Sequence, residues 1–110
     1  MSLTLIPTPE FIKTVKKLSK KYKIISHDLR MLELELLSNQ DGSIDLGGGL
    51  YKIRVANSSV PVGKSGGFRV IYYKKIANKI YLLYIYSKSD IENIDDKKLT
   101  EILKANGLSC

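Results

Sequence analysis

The chain has 110 residues, a formal net charge of +7 and 44% hydrophobic residues. That length leaves room for one ordinary core, so a single domain over 1–110 is expected, and no apolar run approaches the ~20 residues needed to cross a membrane. The opening MSLTLIPTPEF lacks the basic segment and long apolar core of a secretory signal, which predicts a cytosolic protein, and the one cysteine, Cys110, excludes an internal disulfide and reads as an inert terminal thiol.

Leu3 to Pro7 predicts a short strand closed by proline. Thr8 and Pro9 then make a helix start, with threonine as N-cap and proline at the first helical position. Phe11, Val15, Leu18 and Tyr22 form one apolar stripe, and Lys13, Lys16, Lys17, Lys20 and Lys21 take the remaining faces. Such lysines either solvate the outside of a helix or contact an RNA backbone, where each neutralised phosphate releases counterions; Lys13 and Lys17 are the candidates for the second role. A second helix is expected from a Ser26 cap to about Ser38, with Ile25, Leu29, Leu32 and Leu36 at helical spacing, so that the two form a helical hairpin on a sheet. His27, the one histidine, falls in its first turn as a surface residue, and a histidine acid–base pair is excluded. Asn39 to Gly49 is expected as a loop, and its Gly47-Gly48-Gly49 run lacks the Gly-Lys-Ser/Thr signature of a P-loop.

Leu50 to Ala56 alternates: Tyr51, Ile53 and Val55 point one way, Lys52 and Arg54 the other. A polar loop, Asn57 to Gly66, carries Lys64 near its tip. Phe68 to Lys75 and Lys79 to Ser87 then read as a β-hairpin broken at Ala77-Asn78, whose open ends bring Arg69 and Lys88 together. Strict alternation in the last strand puts Tyr84, Tyr86 and Lys88 on one face and Leu83, Ile85 and Ser87 on the other. After Asp90 a helix is expected, with Ile94, Asp95 and Leu99 as staple and cap and Gly107 at its end. The order β-α-α-β-β-β-α is an α+β arrangement with consecutive antiparallel strands. No carboxylate falls between Asp45 and Asp90, whereas Lys52, Arg54, Lys64, Arg69, Lys74, Lys75, Lys79 and Lys88 do. Cations without local counter-charges point to phosphate, and with a pI near 9.5 to nucleic acid.

The segments TPEFIKTVKKLSKKY, LGGGLYKIRVAN, GKSGGFRVIYYKK, KIYLLYIYSKSD and DKKLTEIL resemble the RelE/ParE superfamily of bacterial type II toxins, in particular its HigB/RelE-like branch. The resemblance implies a small microbial-ribonuclease-like sheet with two helices on one side and a mobile carboxy-terminal helix. It implies cleavage of messenger RNA in the ribosomal A site and inhibition by an adjacent-gene antitoxin, with a helix-turn-helix type among the candidates and operator DNA met only through it. Carried over by motif, the site consists of Lys52 and Arg54 of YKIR, Arg69 of GGFR and Lys88 after the last strand. The chain departs from the RelE type in having no tyrosine from Ile91 to Cys110, so a tyrosine role falls to Tyr84 or Tyr86 or is absent.

Cleavage by the neighbouring 2′-oxygen needs loss of a proton, stabilisation of a dianionic phosphorane and a proton for the departing 5′-oxygen. Lysine and tyrosine are the candidates for proton transfer, since crowded cations lower the pKa of both. Arg69 is assigned to transition-state charge, Lys52 and Arg54 to phosphates and orientation, Lys88 to proton transfer or charge, and Tyr86 to a catalytic hydroxyl; Lys64, Tyr84 and Lys74 join Lys13 and Lys17 as RNA-contacting candidates. No cofactor is called for, and the acid-free interval argues against a Mg²⁺ nuclease. Two further readings stay open: a ParE-like poison of DNA gyrase, and an inactive relative whose basic face docks an acidic antitoxin segment.

Overall fold

A computed structural model describes residues 3–38, 42–60, 67–74, 78–90 and 94–108. In chain order the elements are β1 (Thr4–Pro7), α1 (Pro9–Ser19), α2 (Ile25–Leu37), β2 (Ser43–Gly47), β3 (Leu50–Val55), β4 (Phe68–Tyr73), β5 (Lys79–Ser87) and α3 (Asp96–Ala105). The five strands lie in the order β1-β5-β4-β3-β2. β2 to β5 pair antiparallel in sequence, whereas β1 runs parallel to β5, so the α+β fold has a mixed sheet. Lys64, Ala77 and Cys110 lie outside the described residues.

The start of α1 follows from one side chain. Thr8 Oγ1 accepts from the Phe11 amide at 3.3 Å and donates to the Leu82 carbonyl at 2.9 Å, so one hydroxyl caps the helix and fastens it to β5. α2 departs from expectation: it begins at Ile25 after Ile24, with no side-chain cap, and Ser26 is already inside the first turn. Burial of Ile25 sets that start, and support comes from across the fold. The Ile24 amide donates to Ser59 Oγ, and buried Asp28 accepts from the Ser58 amide at 3.0 Å and its hydroxyl at 2.6 Å. Asp28→Ala leaves two Ser58 donors without this acceptor, and calorimetry is expected to show a loss of about 2–3 kcal/mol.

The expected loop from Asn39 to Gly49 contains β2. Ser43-Ile44-Asp45-Leu46 alternates in polarity and pairs with β3 as Ser43↔Ile53, Ile44↔Lys52 and Asp45↔Tyr51. The glycine run closes this hairpin: Gly47, Gly48 and Gly49 have φ of 90°, 62° and 89°, a region costly for other residues.

Alternation fails once in β5. Ile71 faces Tyr84 and Tyr72 faces Leu82, leaving Leu83 as the extra residue of a β-bulge. Leu83 therefore packs with Tyr86 rather than with Ile85, contrary to the strict alternation expected. The sheet is covered on both faces. Phe11, Tyr22, Ile25, Leu32 and Leu36 of the helical hairpin cover Ile53, Val55, Phe68, Val70 and Ile85. On the opposite face Leu99, Ile102 and Leu103 of α3 cover Leu50, Ile71, Tyr73 and Leu83. α3 is capped as expected: Asp95 accepts from the Lys97 amide at 2.8 Å, and Gly107 at φ 67° lets the Leu108 amide close back on the Leu103 carbonyl at 2.9 Å. No described helix is long and apolar enough to cross a membrane.

Candidate nucleic-acid interface

The α3 side of the sheet carries the cations predicted from the alternation. Arg54 on β3 faces Arg69 on β4, and Arg69 faces Tyr86 on β5, so the three form one row across the strands. Directly opposed side chains on one face start about 5 Å apart. The next row is Lys52, Ile71 and Tyr84, two residues along each strand. Lys88, immediately past β5, donates its amide to the Gly67 carbonyl at 3.0 Å and flanks the first row at the rim. Of the residues singled out above, the structure thus gathers Lys52, Arg54, Arg69, Tyr84, Tyr86 and Lys88 onto one face.

Others are dispersed. Lys13 and Lys17 lie on α1, which packs on the opposite face, although Lys17 reaches a groove between α1 and Tyr84 to Ser87 of β5. Lys74 follows β4, its amide bonded to Gly49; five residues beyond Arg69, it stands roughly 16 Å along the strand.

Two like charges in directly opposed positions oppose folding. Arg54 is exposed, but Arg69 is only 6% exposed, and its Nη1 lies 3.3 and 3.4 Å from the Phe68 and Gly67 carbonyls, which aim the guanidinium along the rim. Burial and the neighbouring Arg54 charge pull the Arg69 pKa below its ordinary value, with Tyr86 acting the other way. A guanidinium is so basic that it remains a cation.

Tyr86 is 3% exposed, and its hydroxyl has no hydrogen-bond partner among the described residues. Burial pushes its pKa up; the Arg69 charge and the Ile94 backbone, too loosely placed for a formed hydrogen bond, pull it down less strongly. The expectation that crowded cations lower a tyrosine pKa is therefore reversed at Tyr86, because desolvation of the phenolate outweighs one neighbouring cation. At neutral pH this hydroxyl is a proton donor.

Sequence reading missed Gly67. A Cβ on Gly67 would stand 2.1 Å from the Val55 carbonyl oxygen, so β3 and β4 approach here as only glycine allows. The SGG before FRV was a visible signal for that approach. Burial of Tyr86 under α3 had no local signal, since the covering residues come from another element.

A small α+β protein that opposes two guanidiniums across its central strands, with a buried hydroxyl beside them, presents a cationic sheet face whose chemistry suits an anion. Residues 11–108 match the family model described as the RelE toxin of the RelE / RelB toxin-antitoxin system, and the chain belongs to the RelE toxin family. It is a toxin of a toxin–antitoxin system, with a cognate antitoxin as partner. Among solved structures, a mutant of the E. coli toxin RelE in the free state is similar, with 17% identity and a TM-score of 0.58 over 96% of this chain and 98% of that one. At that identity the likeness speaks for the fold.

Proposed function

We propose that this toxin is a ribosome-dependent, metal-independent endoribonuclease of the HigB/RelE-like kind that cuts translated mRNA in the ribosomal A site. The observation that supports this most is the row Arg54–Arg69–Tyr86: two opposed cations and a neutral donor on one sheet face, an arrangement unfavourable for folding and suited to a phosphorane. In the proposed reaction the 2′-oxygen loses its proton and attacks the neighbouring phosphorus, and the bond to the 5′-oxygen breaks as that oxygen takes up a proton. The products are a 2′,3′-cyclic phosphate and a 5′-hydroxyl end. Arg69 and Arg54 hold the phosphorane oxygens, Lys52 orients the neighbouring phosphate, Lys88 serves proton transfer, and Tyr86 donates a hydrogen bond to the developing charge.

Primer extension on a reporter transcript after brief induction tests this reading. Cuts within translated codons that disappear when the start codon is removed are expected. Growth arrest with intact transcripts and broken DNA would replace it by poisoning of gyrase.

Tyr86→Phe separates stability from activity. Removing a buried hydroxyl without a partner is expected to raise the unfolding free energy by about 1 kcal/mol and to lower cleavage about tenfold. The raised pKa adds a pH signature. The unfolded tyrosine ionises first, near 10, so the preference of the protonated hydroxyl for the folded chain is fully present below that pH and is lost as pH climbs through the folded value, on top of the pH-independent cost of its missing hydrogen bond. Melting curves from pH 8 to 11 should show a shallower fall for the phenylalanine variant.

A further inference from the structure

Lys88 stands at the rim of the cationic row, yet what fixes its place comes from the other side of the sheet. Ser87 to Asp90 form a β-turn, closed by the Asp90 amide on the Ser87 carbonyl at 3.0 Å, with Lys88 at its second position. The Ser87 hydroxyl accepts from the Ser89 amide at 3.3 Å, and the Lys88 amide is taken by the Gly67 carbonyl at 3.0 Å. Ser87 thus anchors the turn twice, through its carbonyl and through its side chain. Ser87 is itself held from outside the sheet. It is buried, and its Oγ shares a 3.2 Å hydrogen bond with the hydroxyl of Tyr22, 65 residues earlier in the chain. Tyr22 is fixed in its own right: it is buried, its amide donates to the Leu18 carbonyl at 2.8 Å just past the end of α1, and its ring stands edge-on to Phe68 with centroids 5.3 Å apart. Phe68 is the register partner of Ser87 and precedes Arg69, so one tyrosine braces the ends of both strands that carry candidate site residues. One residue before it, Lys21 Nζ donates to Asp90 Oδ1 at 3.2 Å, across a groove between α1 and β5. Asp90 is two residues from Lys88 and is the first carboxylate after Asp45. Such an exposed pair adds little stability; its effect is on where the carboxylate points.

We propose that Tyr22 and Lys21 are positioning residues for Lys88: Tyr22 fixes the turn through Ser87, and Lys21 holds the Asp90 carboxylate away from the Lys88 ammonium; this rests on the ribonuclease reading above, in which Lys88 serves proton transfer. A lysine gives up its proton more readily where no carboxylate stabilises the ammonium. A catalytic group misplaced by about 1 Å can cost two orders of magnitude in rate. Both conditions are set by the end of α1, an element packed on the face of the sheet opposite to the cationic row. The helical hairpin is on this account part of the machinery without meeting the reacting phosphate.

Single-turnover cleavage of mRNA on programmed ribosomes, with the full chain, compares the parent with its variants. Tyr22→Phe keeps the ring against Phe68 and loses the hydroxyl; it is expected to cleave about tenfold more slowly with its affinity for the ribosome unchanged. In a Lys88→Ala background the same substitution should change the rate less than about twofold, because the group it positions is gone. Lys21→Ala is expected to lose about threefold, and adding Asp90→Asn should restore the parent rate, since no carboxylate is left to pair with Lys88. Amide hydrogen exchange, which needs no RNA, should be faster at Asp90 in Tyr22→Phe than in the parent. Equal exchange there, equal cleavage by Tyr22→Phe, or a loss that persists undiminished in the Lys88→Ala background overturns the role of Tyr22. Lys21→Ala cleaving like the parent, or a loss that Asp90→Asn leaves in place, overturns that of Lys21. A parent chain that cuts no ribosome-bound mRNA overturns the ribonuclease reading and this use of Lys88 with it, even where exchange at Asp90 shows that Tyr22 holds the turn.

Discussion

Arg69→Ala is expected to lower RNA cleavage about 10²-fold or more, the usual cost of removing one fixed donor aimed at transition-state charge, while the protein keeps its fold. The second half follows from the pairing. Arg69 faces Arg54 directly, so its removal relieves a like-charge contact at the same time as it removes packing. Calorimetry should therefore place the variant's melting temperature close to the parent's, and a large fall in cleavage would be chemical. Arg69→Lys keeps the charge but loses the fork held against the Gly67 and Phe68 carbonyls, so it should recover only a small part of the activity. Arg54 is exposed and able to move, and its alanine variant should lose less, about tenfold. Cleavage by Arg69→Ala within threefold of the parent would remove Arg69 from the chemistry.

Gly67→Ala is the substitution with the largest expected effect on stability. The new Cβ would stand 2.1 Å from the Val55 carbonyl oxygen, and the obstacle is backbone, which cannot rotate away. Either β3 and β4 separate at this end or the chain before Phe68 is displaced; the cost is about 3 kcal/mol, equivalent to a fall in melting temperature of about 10 °C or more for a domain of this size. The Gly67 carbonyl also receives the Lys88 amide and lies against Arg69, so the displaced segment carries two candidate site residues with it. A variant that melts like the parent would show that the strands can part there without cost.

Much of the fold was legible because its signals are local. The Thr8-Pro9 start, the Asp95 cap and Gly107 each act within one turn of helix, and the stripe of Phe11, Val15 and Leu18 repeats turn by turn along α1, with Tyr22 joining the same core just past its end. The alternation of Leu50 to Val55 was enough to put Lys52 and Arg54 on one face and Ile53 and Val55 on the other. What escaped depends on a second element. β2 was hidden because three glycines outweighed a four-residue alternation whose partner strand comes later. The start of α2 was placed at Ser26 because its support, Ser58 and Ser59, lies some thirty residues away. Tyr86 was given to a cation-rich surface, whereas α3 closes over it and desolvation decides its proton. Lys13 and Lys17 have the right charge for RNA, but composition carries no information on which side of a sheet a helix will pack.

The bulge at Leu83 divides β5 into two halves with different duties. Lys79 to Leu82 hold the parallel neighbour β1, and Tyr84 to Ser87 lead into Lys88 beside the row of cations. The extra residue sets Leu83 and Tyr84 on the same face, which keeps Tyr86 on the α3 side and Ile85 on the side of the helical hairpin. If all nine residues alternated strictly instead, the second half of the strand would turn over, Tyr86 and Lys88 towards the helical hairpin and Ile85 towards α3. Removing Leu83 has the opposite result: Leu82 and Tyr84 become neighbours in a regular ladder and every later side chain keeps its face. The candidate row thus depends on where the ladder slips, and in such a strand a deletion at the slip is gentler than an insertion anywhere else.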